Sequence, residues 1–283
     1  MHEKLIREIN GEIADALLAR KLPFAPSRKA ALALLKVPGW TEGLEQMLPI
    51  RGRLECAHVL ELCSCVLPRL APRPEEGWLA FCTQYARERM YPGQGFAPDR
   101  EEYEAGALFF LTVLQVMLDR ERRAVPFDPL KDFQFLSSEE MGEYECGEEY
   151  RRFLAAWRKE YIYEMMRLNA EVTPFRTLEH IAGVHYVAMT VARGLYAAGV
   201  PIDLTLTSGA AAGHDLGKFG CKPNERVPYL HYYYTDRYTK RFHMPVIGHI
   251  AANHSTWDLE LEDLSIENLI LIYADFRVKS IRT

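Results

Sequence analysis

Thr177-Leu-Glu-His-Ile-Ala-Gly-Val-His-Tyr-Val-Ala-Met-Thr-Val-Ala-Arg-Gly-Leu-Tyr-Ala-Ala198 is the stretch that decides the fold. Its apolar residues recur every three or four positions, Thr173-Pro174 or Thr177 can start a helix, and Gly199 followed by Pro201 stops it. The spacing predicts one helix of about 20 residues. Downstream, Asp203 can cap a helix over Leu204 to Asp215 that ends in Gly217, and Ser265 can cap a last helix from Ile266 to about Ile281. That helix is barely closed at Thr283, which leaves room for a longer native chain.

Upstream the same pattern holds. β-Branched alternating runs are scarce, whereas Leu, Ala, Glu, Arg and Met recur at helical spacing, so the expected fold is all-α. Helices are expected over 11–23, 28–36, 41–48, 53–67, 75–89, 101–121, 138–145 and 147–170, separated by breaks such as Ala71-Pro-Arg-Pro74 and Tyr91-Pro-Gly-Gln-Gly95. Ala124-Val-Pro-Phe-Asp-Pro129 is the clearest interruption, and the highly charged amphipathic segment Glu148 to Leu168 follows it. The seam between two helical halves is therefore placed there, with an accessory region over 1–146 and a second domain over 147–283. No internal repeat, coiled coil or low-complexity tract is visible.

The 283 residues are 48% hydrophobic and 26% charged, enough for a real core. With 39 acidic and 34 basic side chains the formal charge is −5, which argues against long nucleic acid or anionic lipid as partner. The longest apolar run, Ala107 to Leu118, is far short of the roughly 20 residues that span a bilayer, and reads as a core helix. The N-terminal residues mix charges of both signs with apolar residues and show no export signal. Six cysteines without such a signal read as reduced thiols, and cytoplasm is the expected compartment. Cys56-Ala-His58 with Cys63 and Cys65 has zinc-capable atoms, but it lacks a CxxC and lies on a Leu-rich helical pattern, so buried thiols are the better reading.

Histidine is distributed unevenly. Seven of nine lie between His180 and His254, where a uniform spread predicts about two. Imidazoles beside carboxylates suit Zn, Mn, Fe, Co or Ni, and His214-Asp215 anchors the set. Adjacent helical residues point about 100° apart, so both reach one ion only at a helix end, and Leu216-Gly217 supplies that end. Lys218, one turn beyond Asp215, could present a cation to a phosphate oxygen. His180 lies inside the long helix, and Asp275 is a carboxylate on an otherwise apolar face that needs a partner. His185 lies five residues from His180 and His249 five from His254, about 140° around a helix, so both members of either pair cannot face one pocket, and His185 and His249 read as bystanders. His243 reads as a surface residue.

The order His180, His214-Asp215 with Lys218 at the His-Asp-x-x-Lys spacing, then Ala274-Asp275 resembles the HD superfamily of metal-dependent phosphohydrolases over about residues 170–283. The resemblance implies an all-helical HD-type domain in which His180, His214, Asp215 and Asp275 hold one metal and Asp215 bridges to a second. His231 and His254 are similar in placement to the second-metal histidines of HD hydrolases acting on dinucleoside polyphosphates. Two other subfamily patterns are missing: Asp215 is followed by Leu-Gly-Lys-Phe-Gly rather than x-x-Glu-Asp, and His254 by Ser-Thr-Trp-Asp rather than a Gly-Tyr-Pro signature.

The expected cofactor is one or two divalent ions (Mn, Co, Ni, Mg, Zn or Fe), and the expected reaction is hydrolysis of a phosphate ester or anhydride in a nucleotide or dinucleotide by a metal-activated water. Asp215, Lys218, His231 and His254 are the expected catalytic residues, the two histidines as ligands or as donors to the leaving oxygen. Lys218, Arg176 and Arg237 are the expected substrate contacts. Tyr232-Tyr-Tyr234 with Arg237, Tyr238, Lys240 and Arg241 either stacks a base or packs as a lid. The partner is then a phosphorylated small molecule, with self-association left open. A di-iron oxygenase and an inert nucleotide sensor are the alternatives, separated by metal identity and turnover.

Overall fold

The structure, a computed structural model, describes residues 2–21, 24–47, 56–124, 133–142, 144–172, 177–221, 226–255 and 264–278. Among the described residues there are thirteen α-helices and no strand. They are α1 (His2–Leu18), α2 (Ala25–Leu34), α3 (Trp40–Met47), α4 (Cys56–Ser64), α5 (Trp78–Met90), α6 (Glu101–Ala124), α7 (Gly147–Lys159), α8 (Ile162–Val172), α9 (Thr177–Ala197), α10 (Leu204–Gly213), α11 (Val227–Arg241), α12 (Pro245–Ala252) and α13 (Ile266–Arg277).

The chain forms two compact units, Met1–Pro126 with Lys159–Val172 and Phe127–Arg158 with Thr173–Thr283. This partition differs from one seam near residue 146, because the chain crosses between units three times. The helix expected over 147–170 is divided at Tyr161, whose φ of 60° is left-handed and cannot continue a helix. Its second half, α8, packs on α5, α6 and α4 of the first unit. Residues 138–142 form turns rather than a helix, and α1 begins at His2 rather than at residue 11.

In the first unit α6 is the hub, with α1, α2, α4, α5 and α8 against it. The apolar run Ala107 to Leu118 is buried except for half-buried Gln115, as expected of a core helix. Ile6, Ile9, Ile13 and Leu17 form the buried stripe of α1, and Trp40 meets Phe109 edge-on at 5.1 Å between ring centroids. Among the described residues no helix is long and apolar enough to cross a membrane. All six cysteines are free thiols, and burial pushes Cys63 and Cys82 well above the usual thiol range.

In the second unit α9 packs on α10 and α13, and α10 also packs on α12. The expected caps are present. Asp203 Oδ1 accepts from the Leu206 N–H at 2.9 Å, Ser265 Oγ accepts from Asn268 at 3.3 Å, and Gly199 turns the chain after α9 with φ 85°. Beneath α9 and α10, Phe133, Phe135, Phe153 and Trp157 form an aromatic cluster, with His185 against Phe133 and Phe135. His185 is fully buried and its Nε2 lies 2.8 Å from Ser208 Oγ. The Tyr150 hydroxyl lies 2.9 Å from the same Ser208 oxygen and accepts from the Leu136 N–H at 3.1 Å. Tyr150→Phe removes the centre of this chain of bonds, so a loss of about 1–3 kcal/mol is expected in urea denaturation.

Candidate metal centre

His180 comes from the first turns of α9, His231 from the first turns of α11, Asp275 from the last turn of α13, and His254 from the 3₁₀ turn Asn253–Ser255 that follows α12. His214 and Asp215 lie where α10 gives way to the 3₁₀ turn Leu216–Phe219. His214 keeps helical angles (φ −59°, ψ −36°), but Asp215 opens to φ −103°, ψ 9°. That change of pitch lets two adjacent side chains face one centre.

Asp215 is the hub. Its Oδ2 lies 3.5 Å from His180 Nε2 and 3.6 Å from His214 Nε2, and its Oδ1 lies 3.8 Å from His231 Nε2 and 4.0 Å from His254 Nε2. Asp275 Oδ1 closes the first side, 3.0 Å from His180 Nε2 and 3.7 Å from His214 Nε2. Two sets of donor atoms capable of holding a metal ion therefore share one carboxylate: His180, His214 and Asp215, and Asp215, His231 and His254. His214, Asp215, His231 and His254 are all buried.

Three of the four histidines are oriented for coordination by a main-chain bond. Nδ1 of His214 faces the Ala211 carbonyl at 2.8 Å, Nδ1 of His231 the Val227 carbonyl at 2.8 Å, and Nδ1 of His254 the Ala251 carbonyl at 2.6 Å. A carbonyl only accepts, so each Nδ1 carries the proton and each Nε2 presents a lone pair to the centre. Burial lowers the pKa of His214 to about 3 and also lowers that of His231, which keeps both imidazoles neutral. Burial alone would raise Asp215, but His214, Lys218, His254 and His180 outweigh it and hold the carboxyl below its ordinary range. Burial likewise opposes ionisation of Asp275, but its hydrogen bond with His180 together with the nearby imidazoles of His214, His254 and His180 outweighs it and holds the carboxyl below its ordinary range.

This chemistry fits a cation. Asp215 Oδ1 and His231 Nε2 are buried with no hydrogen-bond partner. Both are acceptors, so neither satisfies the other, and a metal ion between acceptors is what removes the cost of burying them. The donor set holds no thiolate, since neither group of donors includes a cysteine.

Of the expected site residues, the structure brings together His180, His214, Asp215, His231, His254 and Asp275, with Lys218 ion-paired to Asp215 Oδ2. Arg176 lies outside the described residues. Arg237 is not brought to the centre. It is exposed on α11, six residues and so about 120° around the helix from His231. His231 and His254 have their ring protons tied to carbonyls and their lone pairs turned inward, which suits a ligand and leaves no proton to give a leaving group. Of the aromatic run, Tyr232 packs against His231 and His254 with centroids 3.9 and 5.4 Å away, Tyr233 is exposed, and Tyr238 is buried. His249 and His243 are exposed. The carbonyls of Ala211, Val227 and Ala251 leave no trace in residue type, but each stands three or four positions before its histidine, the offset of a helical turn. In comparison with known proteins, the chain matches no family model, no curated protein and no solved structure.

Proposed function

We propose that the chain is an HD-type metal-dependent phosphohydrolase acting on a phosphorylated small molecule, a nucleotide or dinucleotide above all. The observation that carries this reading is the convergence of His180, His214, Asp215, His231, His254 and Asp275, with each oxygen of Asp215 turned to a different pair of histidines. His180, His214, Asp215 and Asp275 would hold one ion, and Asp215, His231 and His254 a second. Such ions supply a water of lowered pKa and positive charge for a phosphoryl oxygen.

The chain's own residues supply the rest. Lys218 is half-buried, and its ammonium contacts Asp215. It is the cation placed to hold a phosphoryl oxygen beside the centre and to favour phosphate over an uncharged substrate. In hydrolysis a water oxygen joins phosphorus as the bond to the leaving oxygen breaks. With the protons of His231 and His254 engaged, the leaving oxygen takes its proton from solvent. The three Nδ1-to-carbonyl bonds hold the rings in place, so little reorganisation accompanies charge development.

The test is metal content of the purified protein together with phosphate release from nucleotides, cyclic dinucleotides and dinucleoside polyphosphates under Mn, Co, Ni, Mg, Zn or Fe loading. One or two ions per chain with metal-dependent phosphate release are expected. Tightly held mixed-valent iron without phosphate release would turn the assignment to a small-molecule oxygenase. A bound ion with nucleotide binding but no turnover would make the protein a sensor, and failure to bind any ion would remove the centre itself.

A further inference from the structure

We infer that Thr235 and Thr239, each packed against a glycine, are positioning residues that hold the His231 and His254 side of the centre against the His214-Asp215 turn. The inference rests on the two-ion reading above and concerns how its second donor set is built. Thr235 lies one turn after His231 on the same face of α11 and is fully buried. Its Oγ1 accepts from the Gly217 N–H at 3.0 Å and points its own hydrogen at the His214 carbonyl, 3.4 Å away. One hydroxyl thus joins α11 to both ends of the turn that carries Asp215.

The partner glycine matters as much. A Cβ on Gly217 would fall on the carbonyl group of His231, which is main chain and cannot rotate aside. The missing side chain lets α11 meet the turn backbone to backbone, and that approach brings His231 Nε2 to 3.8 Å from Asp215 Oδ1. One turn further on, Thr239 is also buried and hydrogen-bonds back to the Thr235 and Asp236 carbonyls. A Cβ on Gly248 of α12 would overlap the Thr239 side chain. Helix α12 leads directly into the turn that carries His254. α11 therefore has two threonines four residues apart, each against a glycine, one fixing the turn with Asp215 and the other fixing the helix that delivers His254. The His180, His214 and Asp275 side is built from α9, α10 and α13, which pack on one another, and its bond to α11 is the one from Thr235 to the His214 main-chain carbonyl, away from the imidazole.

The experiment compares wild type with Thr235→Val, which keeps the branched shape and loses the hydroxyl, and with Thr235→Ser, which keeps the hydroxyl. Co(II) is titrated into metal-free protein, and ions per chain and visible absorption are recorded. In parallel, long-range proton–nitrogen spectra of the metal-free imidazoles report ring position without any ion. Wild type and Thr235→Ser are expected to take two ions. Thr235→Val should keep one at wild-type affinity and lose affinity for the other by about 10–100-fold, the usual effect of removing a group that orients a ligand. The imidazole signals of His231 and His254 should shift while those of His180 and His214 hold. Thr235→Val with two ions at wild-type affinity and four unshifted imidazoles would overturn the inference. Equal weakening of both ions, or shifts spread over all four rings, would do the same. A wild type that takes only one ion would defeat the two-ion reading instead, and the imidazole shifts would still decide whether Thr235 positions His231. Gly217→Ala should reproduce the Thr235→Val pattern, with Thr235→Val deciding the matter if that variant fails to fold.

Discussion

Asp215→Asn is expected to eliminate binding of both ions and to lower metal-dependent turnover on the order of a thousandfold or more. Asp215 is the residue common to both donor sets, and it alone puts an anionic oxygen on each side of the centre. Metal charge is worth several kcal/mol to a phosphoryl transition state, and each increment of about 1.4 kcal/mol is tenfold in rate. The substitution keeps volume and shape, and the new amide N–H can donate to the His231 lone pair that has no protein partner. The metal-free fold should therefore survive. Thermal unfolding separates the two effects. Added metal should raise the melting temperature of wild type by mass action and leave that of Asp215→Asn unmoved. An Asn variant that still binds ions at wild-type affinity would show that the histidines and Asp275 alone hold the metal.

The second large effect lies in the first unit. Glu164 of α8 is 2% exposed, and burial raises its pKa to about 8 in spite of the Arg20 guanidinium nearby. Arg20 is committed elsewhere: its guanidinium lies 3.5 Å over the Tyr161 ring and donates to Gln115 at 2.6 Å. The folded state holds the Glu164 proton to a higher pH than the unfolded chain, where the ordinary value is 4.5. The stability this confers is complete below about pH 4.5. It falls by about 1.4 kcal/mol per pH unit as pH rises, and is lost above about pH 8. The accumulated loss is on the order of 4–5 kcal/mol. Glu164→Gln cannot ionise and should abolish that slope, gaining on wild type steadily from pH 5 to pH 8. Hydrogen exchange of the α6 and α8 amides across that range measures it. Parallel pH dependence in the two proteins would mean that Glu164 is ionised in the folded state.

What could be read in the sequence was what is local. Gly199 ends α9, Asp203 and Ser265 start α10 and α13, and the apolar run of α6 is a core helix, because caps and periodicity act within one or two turns. The break between α7 and α8 was not legible. Tyr161 is not a glycine, and its left-handed angle is set by packing rather than by residue type. The donor residues were legible because His-Asp at a helix end, with Lys218 one turn on, is a pattern of residue types. The devices that hold them were not. Thr235 and Gly217 are ordinary residues whose roles exist only once α11 lies on the turn. Arg237, in the same basic aromatic run, is exposed about 120° around α11 from His231, an offset that composition does not encode.

The threefold crossing of the chain bears on how the protein can be dissected. A fragment beginning at residue 173 would lack Phe133, Phe135, Phe153 and Trp157, and so would leave one side of the buried His185 and Ser208 without its aromatic cover. A fragment beginning at residue 127 keeps that cover but carries α8, whose Met165, Met166 and Leu168 are buried in the first unit. Neither end-trimming isolates the unit that carries the His/Asp cluster. Excision of residues 159–172 from the longer fragment, with a flexible bridge from α7 to α9, is the division that follows the packing.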